Sequence, residues 1–316
     1  MKKILFFWIT VIILLLAMFA SVKFGQKSRP DDGKLTVITT LFPLYDFSKN
    51  IGGDKVNVSL LLPPGVEPHS FEPKPSDIAK IGGADVFVFT GEFMEPWAHN
   101  IIRGTSNAKI GVVDASAEVK MISMEERHEC DEHHEHENQD GIDPHIWLDF
   151  DNVKIIVDNI TNAFCEKDPA NADYYKQNAD EYKNKINELD NEYRTALANC
   201  RTRTIVYGGH YAFGYMAHRY ELQYRAAQGL SPDAEPSAQD IIALIEQIRE
   251  NNIHSIFYEE LTNPKIAETI AAETNAKMLA LNDAANVSRK DIENNTSFIS
   301  IMENNLKNFK TGLECN

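Results

Sequence analysis

Short apolar runs alternate with helical patterns in the first half of the chain, and this alternation restricts the fold more than any other feature. The candidate strands are Leu35 to Thr40, Val56 to Leu62, Ala84 to Thr90 and Lys109 to Val113. The candidate helices are Leu44 to Asn50, Ser76 to Ile81 and Met94 to Ile102. Strands that alternate with helices are typical of a parallel sheet covered by helices. The pattern therefore predicts an α/β lobe over residues 34–167.

The same alternation begins again near residue 200. Here the candidate strands are Thr204 to Tyr207, Gln223 to Ala227, Ile253 to Tyr258 and Lys277 to Leu281. The candidate helices are Tyr211 to Arg219, Ala238 to Asn251, Lys265 to Glu273 and Asp291 to Leu313. Because the two halves share one pattern, residues 200–316 are predicted to form a second α/β lobe of similar design.

A long helical segment separates the two patterns. After a helix predicted over Asp149 to Lys167, Asp168 and Pro169 provide an N-cap and first-turn signal for another helix. An apolar stripe follows, formed by Tyr175, Ala179, Tyr182, Ile186, Leu189, Tyr193 and Ala196. At about 1.5 Å per residue, Pro169 to Leu197 would extend roughly 43 Å. We predict that residues 168–199 form a helix that links the two lobes.

The N-terminus carries an export signal. Lys2 and Lys3 precede the uncharged run Ile4 to Ala20, and polar residues follow from Lys23. This is the order of a secretory signal peptide. The run is also close to the roughly 17 to 25 residues that cross a bilayer, so residues 4–22 are an alternative membrane anchor. Residues 1–33 are therefore predicted to be a signal peptide or anchor plus spacer, which places the lobes outside the cytoplasmic membrane, in the periplasm or at the cell surface.

The charge balance excludes two classes of partner. Lys and Arg total 31 against 47 Asp and Glu, which gives a formal net charge of -16. Because nucleic acids and anionic lipid surfaces attract basic proteins, neither is an expected partner. An acidic surface suits a cation as ligand, although many proteins are acidic for solubility alone.

Metal-binding side chains collect at the ends of the predicted strands. His69 follows the second strand of the first lobe, and His145 follows its fourth strand after a polar insertion. In the second lobe His210, Glu259 and Asp283 follow the first, third and fourth strands. Open parallel sheets bind ligands at the carboxyl ends of their strands, so these residues are expected to converge on a cleft between the lobes. A lone loop histidine is more often a surface residue than a ligand, but three imidazoles with one carboxylate favour a tetrahedral zinc site.

Several longer motifs occur in a fixed order. They are GVEPHSFEPKPSDIAKI, GADVFVFTGEFMEPW, DPHIWLDF, GGHYAFGYMAHRY, EPSAQDIIALIEQI, FYEELTNPKIAETIAAET and SIMENNLKNF. From Leu35 to the C-terminus the chain resembles the zinc-type (cluster A-I) solute-binding proteins of bacterial ABC importers. The resemblance implies two Rossmann-like lobes joined by one long rigid helix, with the metal in the cleft between them. It also implies a receptor, expected to be a monomer, that delivers Zn²⁺ to a membrane permease with its cytoplasmic ATPase.

The resemblance also assigns metal ligands to particular positions. In the family they stand at the positions of His69, His145, His210 and Asp283. Manganese-type relatives usually carry Glu at the position of His210, so this residue favours zinc, and a manganese or iron receptor of the same fold is the alternative. Some zinc members take the fourth ligand from water or from a Glu beside the first histidine, but here Pro68 holds that neighbouring place. Glu67 and Asp283 therefore compete for the fourth role and we favour Asp283, with Glu259 a less favoured candidate.

An acidic, histidine-rich segment interrupts the first lobe before His145. Residues 125–141 are almost wholly polar, which predicts an exposed loop. Residues 128–137 read HECDEHHEHE, a composition typical of metal binding. Weak, exchangeable zinc binding is predicted for its four histidines, His128, His133, His134 and His136. The alternative is a solvated acidic loop whose histidines have no specific role.

The motifs of two enzyme classes are incomplete in this chain. His128 and Glu129 begin like the helix of a zinc metallopeptidase, but that motif needs its second histidine at the position of Glu132. The sequence also lacks a Gly-x-Ser-x-Gly nucleophile turn. We therefore expect no enzyme activity. A surface adhesin of the same fold is a further alternative, and tight binding of one zinc ion would distinguish a receptor from it.

The cysteines suggest one disulfide. They stand at positions 130, 165, 200 and 315, and cysteines outside the cytoplasm are readily oxidised in pairs. Cys200 lies just before the first strand of the second lobe and Cys315 ends its last helix, so this pair is the candidate. Cys165 and Cys200 flank the long helix and cannot approach to the roughly 4.4 to 6.8 Å Cα separation of a disulfide. Cys130 is expected to bind metal or remain free.

Overall fold

The computed structural model describes residues 33–105, 107, 109–123, 141–230, 232 and 235–316. None of the helices in these ranges is both long enough and apolar enough to cross a membrane. The predicted signal or anchor at residues 4–22 and the histidine-rich residues 128–137 lie outside the described residues. The predicted boundaries at 34, 168 and 200 stay predictions.

The first lobe is built on a parallel sheet. Its strands are β1 (Leu35–Thr39), β2 (Val56–Leu60), β3 (Val86–Phe89) and β4 (Gly111–Asp114). They lie in the order β2-β1-β3-β4, with every neighbouring pair parallel. All four residues of β3 are buried, as expected for a central strand that helices cover on both faces.

The helices of the first lobe follow the predicted alternation with one clear difference. They are α1 (Phe42–Gly52), α2 (Pro75–Gly82), α3 (Ala98–Gly104) and α4 (Phe150–Lys167). The prediction that α3 starts at Met94 was wrong. Pro96 disfavours helical backbone in the preceding residue, and the Glu95 carboxylate instead accepts hydrogen bonds from the backbone N–H groups of Thr90 and Gly91.

A single long helix, α5 (Ala172–Leu197), links the lobes and contains 26 residues. A 3-10 turn over Pro169–Asn171 precedes it, so α5 begins three residues later than predicted and extends about 39 Å. Its predicted apolar stripe is buried except at the last position, where Leu197 is buried and Ala196 is only half-buried.

The second lobe repeats the design of the first. Its strands are β5 (Thr204–Tyr207), β6 (Gln223–Ala226), β7 (Ser255–Glu259) and β8 (Lys277–Leu281). Their order, β6-β5-β7-β8, matches that of the first sheet, and the pairs are again parallel. The helices are α6 (Gly214–Arg219), α7 (Ala238–Glu250), α8 (Lys265–Thr274), α9 (Arg289–Glu293) and α10 (Phe298–Gly312).

Two helices of the second lobe differ from the prediction. The helix expected from Tyr211 starts at Gly214, because the N–H groups of Ala212 and Phe213 donate to the Tyr224 hydroxyl instead of continuing the helix. The helix expected over residues 291–313 is divided into α9 and α10. Asn295 has a left-handed φ of 54°, and the Ser297 side chain then caps α10, so one helix ends and another begins between them.

Residues Leu35–Asn316 form one compact unit in which α5 packs against both lobes. On the first lobe, the Tyr182 ring lies 5.7 Å from that of Phe47. On the second, the Tyr193 hydroxyl donates to the carbonyl oxygen of Met302 at 2.6 Å. Each of these side chains combines a large buried surface with a satisfied polar end. The lobes therefore share a continuous core with the linking helix.

The cysteines are arranged as follows. Cys200 and Cys315 form a disulfide beside β5. Cys165 is a half-buried free thiol near the end of α4. Cys130 lies outside the described residues.

The sheet topology fixes where a ligand binds. In the first sheet, β2 lies on one side of β1 and β3 lies on the other, so the direction in which strands are added reverses between β1 and β3. In the second sheet the same reversal occurs between β5 and β7. Ligands bind in open α/β sheets at this reversal, outside the carboxyl ends of the strands. His210 follows β5, and Glu259 is the last residue of β7. The reversal in the second lobe therefore carries two of the predicted site residues.

Candidate metal centre

The predicted ligands stand on short connecting segments from both lobes. His69 lies between β2 and α2, and His145 directly precedes a 3-10 turn over Ile146–Leu148. In the second lobe His210 follows β5 and Asp283 follows β8. His145 and His210 are buried, with 0% and 1% exposure, and Asp283 is 7% exposed. The site is therefore well shielded from bulk water.

The three histidines meet through their Nε2 atoms. Nε2 of His145 lies 3.2 Å from Nε2 of His69 and 3.2 Å from Nε2 of His210. Oδ2 of Asp283 is 3.9 Å from Nε2 of His210. The described residues thus contain two overlapping groups of potential metal ligands: His69, His145 and His210 form one, and His210, Glu259 and Asp283 form the other.

Carboxylates hold the opposite ring nitrogens of two of these histidines. Nδ1 of His145 lies 2.8 Å from Oδ1 of Asp143, and Nδ1 of His210 lies 2.8 Å from Oε2 of Glu259. An Nδ1–H that donates to a carboxylate leaves the Nε2 lone pair of a neutral imidazole free to bind metal. Glu259, which the sequence suggested as a less favoured ligand, therefore orients His210.

The glycines of the GGH motif allow this close packing. A Cβ atom on Gly209 would lie 2.7 Å from the Tyr207 ring and 3.2 Å from Oε2 of Glu259. A Cβ on Gly208 would lie 2.6 Å from Cβ of Ala267. Such contacts exclude a side chain at either position without movement of the neighbours. The absence of side chains here lets the Glu259 carboxylate reach the imidazole that follows.

The electrostatic environment differs among the histidines. Burial holds the pKa of His145 well below its ordinary value, and the charge of His210 lowers it further. Burial, followed by the charges of the other two histidines, also lowers the pKa of His69. For His210 burial acts in the same direction, but the hydrogen bond and charge of Glu259 together with the charge of Asp283 outweigh it and raise the pKa to about 9. His210 is therefore the one imidazole of the three whose pKa is raised above its ordinary value.

Carboxylates also line the approach to the site. A cavity of about 160 Å³ lies beside Asp283 and is bordered by Glu67, Glu259 and Glu260. Burial raises the pKa of Asp283, and the charge of nearby Glu259 raises it further. The negative charges around this cavity favour the approach of a hydrated cation.

Hydrogen bonds between the lobes fix the two halves of the site against each other. The indole N–H of Trp147 donates to the carbonyl oxygen of Asp283 at 2.6 Å. The hydroxyl of Tyr215 donates to the carbonyl oxygen of Asp143 at 2.9 Å. In each pair the acceptor belongs to a residue at the site, and the donor comes from the other lobe. The cleft is thus already assembled by protein contacts.

Sequence reasoning did not identify three of these residues. Asp143, Trp147 and Tyr215 lie in the quoted motifs but were given no role. A carboxylate two residues before a candidate ligand is a signal that could have indicated Asp143, since metal-bound histidines usually donate to a carboxylate. The contacts of Trp147 and Tyr215 depend on how the lobes pack. The predicted weak sites at His128, His133, His134 and His136 lie outside the described residues.

The chain is similar to proteins of zinc uptake. Residues 37–312 match the family model described as ZnuA, zinc-uptake complex component A, periplasmic. The chain is 38% identical over 295 residues to the high-affinity zinc uptake system protein ZnuA of Bacillus subtilis (strain 168). This alignment covers 93% of the present chain and 92% of the B. subtilis protein. It also spans 59% of the length of the zinc-binding lipoprotein AdcA of Streptococcus pneumoniae, at 34% identity over 94% of this chain.

Solved structures agree with the fold. The Zn(II)-bound ZnuA-like domain of S. pneumoniae AdcA superposes with a TM-score of 0.76 at 33% identity, covering 89% of this chain and 100% of that domain. The laminin-binding protein Lmb of Streptococcus agalactiae, described as bifunctional with adhesin and metal transporting activity, gives a TM-score of 0.74 at 29% identity, covering 88% and 99%. Since the family model spans most of the chain and ZnuA of B. subtilis aligns over nearly its full length, the chain belongs to the ZnuA family.

Proposed function

We propose that the chain is the extracytoplasmic receptor of an ABC importer, which captures Zn²⁺ between its lobes and delivers it to a membrane permease with its ATPase. Membership of the ZnuA family supports the importer role. The argument for zinc comes from the chain's own side chains at the cleft.

The observation that carries the proposal is the spacing of the imidazole nitrogens. Zinc binds histidine nitrogen at about 2.0–2.1 Å in tetrahedral geometry, which puts two ligand nitrogens roughly 3.3 Å apart. The Nε2 atom of His145 lies 3.2 Å from those of His69 and His210. Two of the three nitrogen–nitrogen distances therefore match the edges of a zinc tetrahedron, and all three histidines have a ligand nitrogen within 4.8 Å of the others.

The hydrogen bonds of the rings support the same conclusion. Asp143 and Glu259 accept from Nδ1 of His145 and His210, so each of these two rings presents its Nε2 atom to the other. A metal that displaces the proton of His210 would meet the Nε2 lone pairs of both rings. This pattern of a carboxylate, a histidine and a metal is typical of zinc sites.

We assign the fourth ligand to Asp283. Its carboxylate lies 3.9 Å from Nε2 of His210, on the side opposite the imidazole's bond to Glu259. Glu67 is the competing candidate, but its carboxylate accepts a hydrogen bond from the backbone N–H of His69 at 3.1 Å. Asp283 likewise accepts from the backbone N–H of Ala285 through Oδ1, but among the described residues Asp283, and not Glu67, is grouped with His210 as a potential metal ligand.

The ligand set favours zinc over the alternative metals of related receptors. Imidazole nitrogen suits zinc, whereas manganese prefers oxygen ligands. Three nitrogens and one carboxylate oxygen also fill the four positions of tetrahedral zinc, and a catalytic zinc keeps one position open. The site is therefore suited to capture and release rather than to catalysis.

Several features outside the described residues belong to the same proposal. Residues 1–33 direct export, with residues 4–22 as a cleaved signal or a retained anchor. The histidines of residues 128–137 collect zinc weakly and pass it to the cleft.

The receptor acts as a monomer and binds no nucleic acid, in keeping with its net charge of -16. Adhesion, reported for Lmb, is a second activity that the cleft neither requires nor excludes.

Calorimetric titration of the chelator-stripped chain tests the proposal. We expect one tight zinc site, weaker additional binding, and zinc to displace manganese. His145→Ala should lose the tight site. His254→Ala is the matched control, because this exposed histidine hydrogen bonds to Arg201 and Glu314 at the surface, away from the cleft. Absence of a tight site in the parent chain, or tight binding that survives His145→Ala, would reject the proposal.

A further inference from the structure

Arg219, the last residue of α6, joins segments that carry opposite halves of the cleft. Its guanidinium donates to Oδ1 of Asp149 and to Oδ2 of Asp151, each at 2.8 Å. Its Nε and Nη2 groups donate to the two oxygens of Asp190 at 2.8 and 2.6 Å. Asp149 and Asp151 belong to the first lobe, Asp190 to the linking helix and Arg219 to the second lobe. One side chain therefore connects all three parts of the fold.

The contact between Arg219 and Asp190 is sheltered and geometrically specific, whereas Asp151 is 61% exposed. The side chain of Arg219 is 6% exposed and that of Asp190 is 11% exposed. A guanidinium that meets both oxygens of one carboxylate forms the strongest type of ion pair, and its planar fork fixes the angle between the partners. Burial alone would raise the pKa of Asp190, but the hydrogen bonds from Arg219 and Tyr220 lower it. The ion pair is thus a defined structural joint.

The joint is close in sequence to two of the proposed ligands. Asp149 follows His145 by four residues, and its side chain caps α4 by accepting from the backbone N–H groups of Asp151 and Asn152. Helix α6 follows the loop that contains His210. Arg219 ends α6 and is bonded to Asp149 and Asp151 at the start of α4. A movement of its side chain would therefore shift these two helix ends relative to each other.

A second contact holds the other part of α6. The hydroxyl of Tyr215 donates to the carbonyl oxygen of Asp143, the residue whose carboxylate orients His145. Helix α6 is consequently attached to residues 143–151 at two points, through Tyr215 and through Arg219. A helix held at one point can rotate about it, whereas two points of attachment fix its orientation.

We propose that Arg219 is a positioning residue for metal capture, which keeps His145 and His210 at the separation that zinc requires by joining their segments across the lobes. This inference rests on the proposed function. Without the guanidinium, three carboxylates would face one another at the junction, and their repulsion would act between the lobes. Loss of Arg219 should then weaken metal binding although the residue does not contact the metal.

The test compares three variants of the chelator-stripped full chain. Arg219→Gln removes the charge, and Arg219→Lys keeps the charge but loses the fork. Arg194→Gln is the matched control, since Arg194 is 51% exposed and pairs with the same Asp190 within α5. Arg194 also lies over the Tyr220 ring of the second lobe, whereas Arg219 in addition pairs with Asp149 and Asp151 of the first lobe. Zinc affinity is measured by competition with a chromophoric chelator, and site geometry by the visible absorption of bound Co²⁺.

We expect Arg219→Gln to bind zinc about 10-fold or more weakly, as is typical for loss of groups that support metal ligands. The Co²⁺ absorption should lose tetrahedral intensity in the same variant, which a uniform loss of fold stability would not cause. Arg219→Lys should lie between the parent and Arg219→Gln. Arg194→Gln should stay within about twofold of the parent, because an exposed pair contributes little.

A folded Arg219→Gln protein with parental zinc affinity and Co²⁺ absorption would overturn the inference. If Arg219→Gln does not fold, Arg219→Lys decides the matter, and parental affinity in that variant would equally overturn it. Failure of the parent chain to bind zinc would instead reject the proposed function, so the two failures are distinguishable.

Discussion

Replacing Glu259 by Gln should change how zinc affinity depends on pH. The Glu259 carboxylate is 8% exposed and lies 2.8 Å from Nδ1 of His210. Its charge is a main reason that the pKa of His210 is raised to about 9 although burial acts to lower it. The substitution keeps the size of the side chain and an oxygen acceptor but removes the charge.

The magnitude follows from proton competition at His210. A raised pKa means that the proton is held below pH 9, so zinc affinity falls as the pH falls. With a pKa of about 9, lowering the pH from 8.5 to 6.5 should weaken zinc binding by the parent roughly 75-fold, close to one proton per zinc. The raised pKa of Asp283 acts in the same direction.

Glu259→Gln should remove most of this dependence. Without the carboxylate charge, the main cause that raises the pKa of His210 is lost while burial still lowers it, so the pKa should fall and less proton remains to be displaced. The lost support should also weaken intrinsic affinity by about 10- to 100-fold. The two effects oppose each other, and relief from proton competition is about 75-fold larger at pH 6.5 than at pH 8.5. The affinity of the variant relative to the parent should therefore rise as the pH falls from 8.5 to 6.5.

Calorimetry in buffers of different ionisation enthalpy measures both affinity and proton release. We expect about one proton released per zinc by the parent at neutral pH and close to none by Glu259→Gln. Glu260→Gln is the matched control, because Glu260 borders the same cavity but hydrogen bonds to Asn282 instead of a histidine. Equal proton release and equal pH dependence in Glu259→Gln and the parent would refute this account of His210.

Three further predictions concern the site, the histidine-rich segment and the disulfide. Replacing any one of the three cleft histidines by Ala should weaken zinc binding at least 10- to 100-fold in chelator competition, since loss of a ligand costs no less than loss of its support; a smaller effect would contradict the ligand assignment. Deletion of residues 128–137 should leave the tight site nearly intact but lower total zinc bound, measured by elemental analysis, and loss of tight binding would show that the primary site is elsewhere. Replacing Cys200 and Cys315 by Ser opens a loop of 115 residues and should lower the free energy of urea unfolding by roughly 2–5 kcal/mol. The zinc affinity of this variant should stay within about twofold of the parent, because the disulfide precedes β5 and His210 follows it. A larger change would show that the disulfide and the metal site are coupled.

The strands were predictable because their signal is local. The run Val86–Phe89 is apolar at every position and is buried at every position, as a central strand of a parallel sheet must be. The linking helix was predictable for the same reason, since its apolar stripe continues over about six turns and is buried along nearly all of its length.

The errors arose where side chains override a periodic pattern. An apolar pattern suggested one helix over residues 291–313, but Asn295 adopts left-handed backbone and Ser297 caps a new helix. These two residues were visible in the sequence as a stop and a start signal. The helix predicted from Met94 overlooked Pro96, which disfavours helical backbone in the residue before it. The Glu95 carboxylate instead accepts hydrogen bonds from the backbone N–H groups of Thr90 and Gly91.

At the cleft, the candidate ligands could be predicted from the sequence, whereas the contacts between the lobes that hold them could not. Ligand candidates could be named because parallel strands place their carboxyl ends at one edge. The contacts that hold them could not, since Trp147 meets Asp283 across 136 residues of sequence and Tyr215 meets Asp143 across 72. Such pairs depend on the packing of one lobe against the other, which no local pattern encodes.

The central claim is that one zinc ion binds between the lobes to three imidazoles and a carboxylate. Anomalous X-ray diffraction above the zinc absorption edge, on crystals loaded with one equivalent of zinc, tests it most directly. We predict a strong peak about 2.0–2.2 Å from Nε2 of His69, His145 and His210 and from the carboxylate of Asp283. A zinc peak elsewhere in the molecule, with these four side chains unligated, would contradict the account.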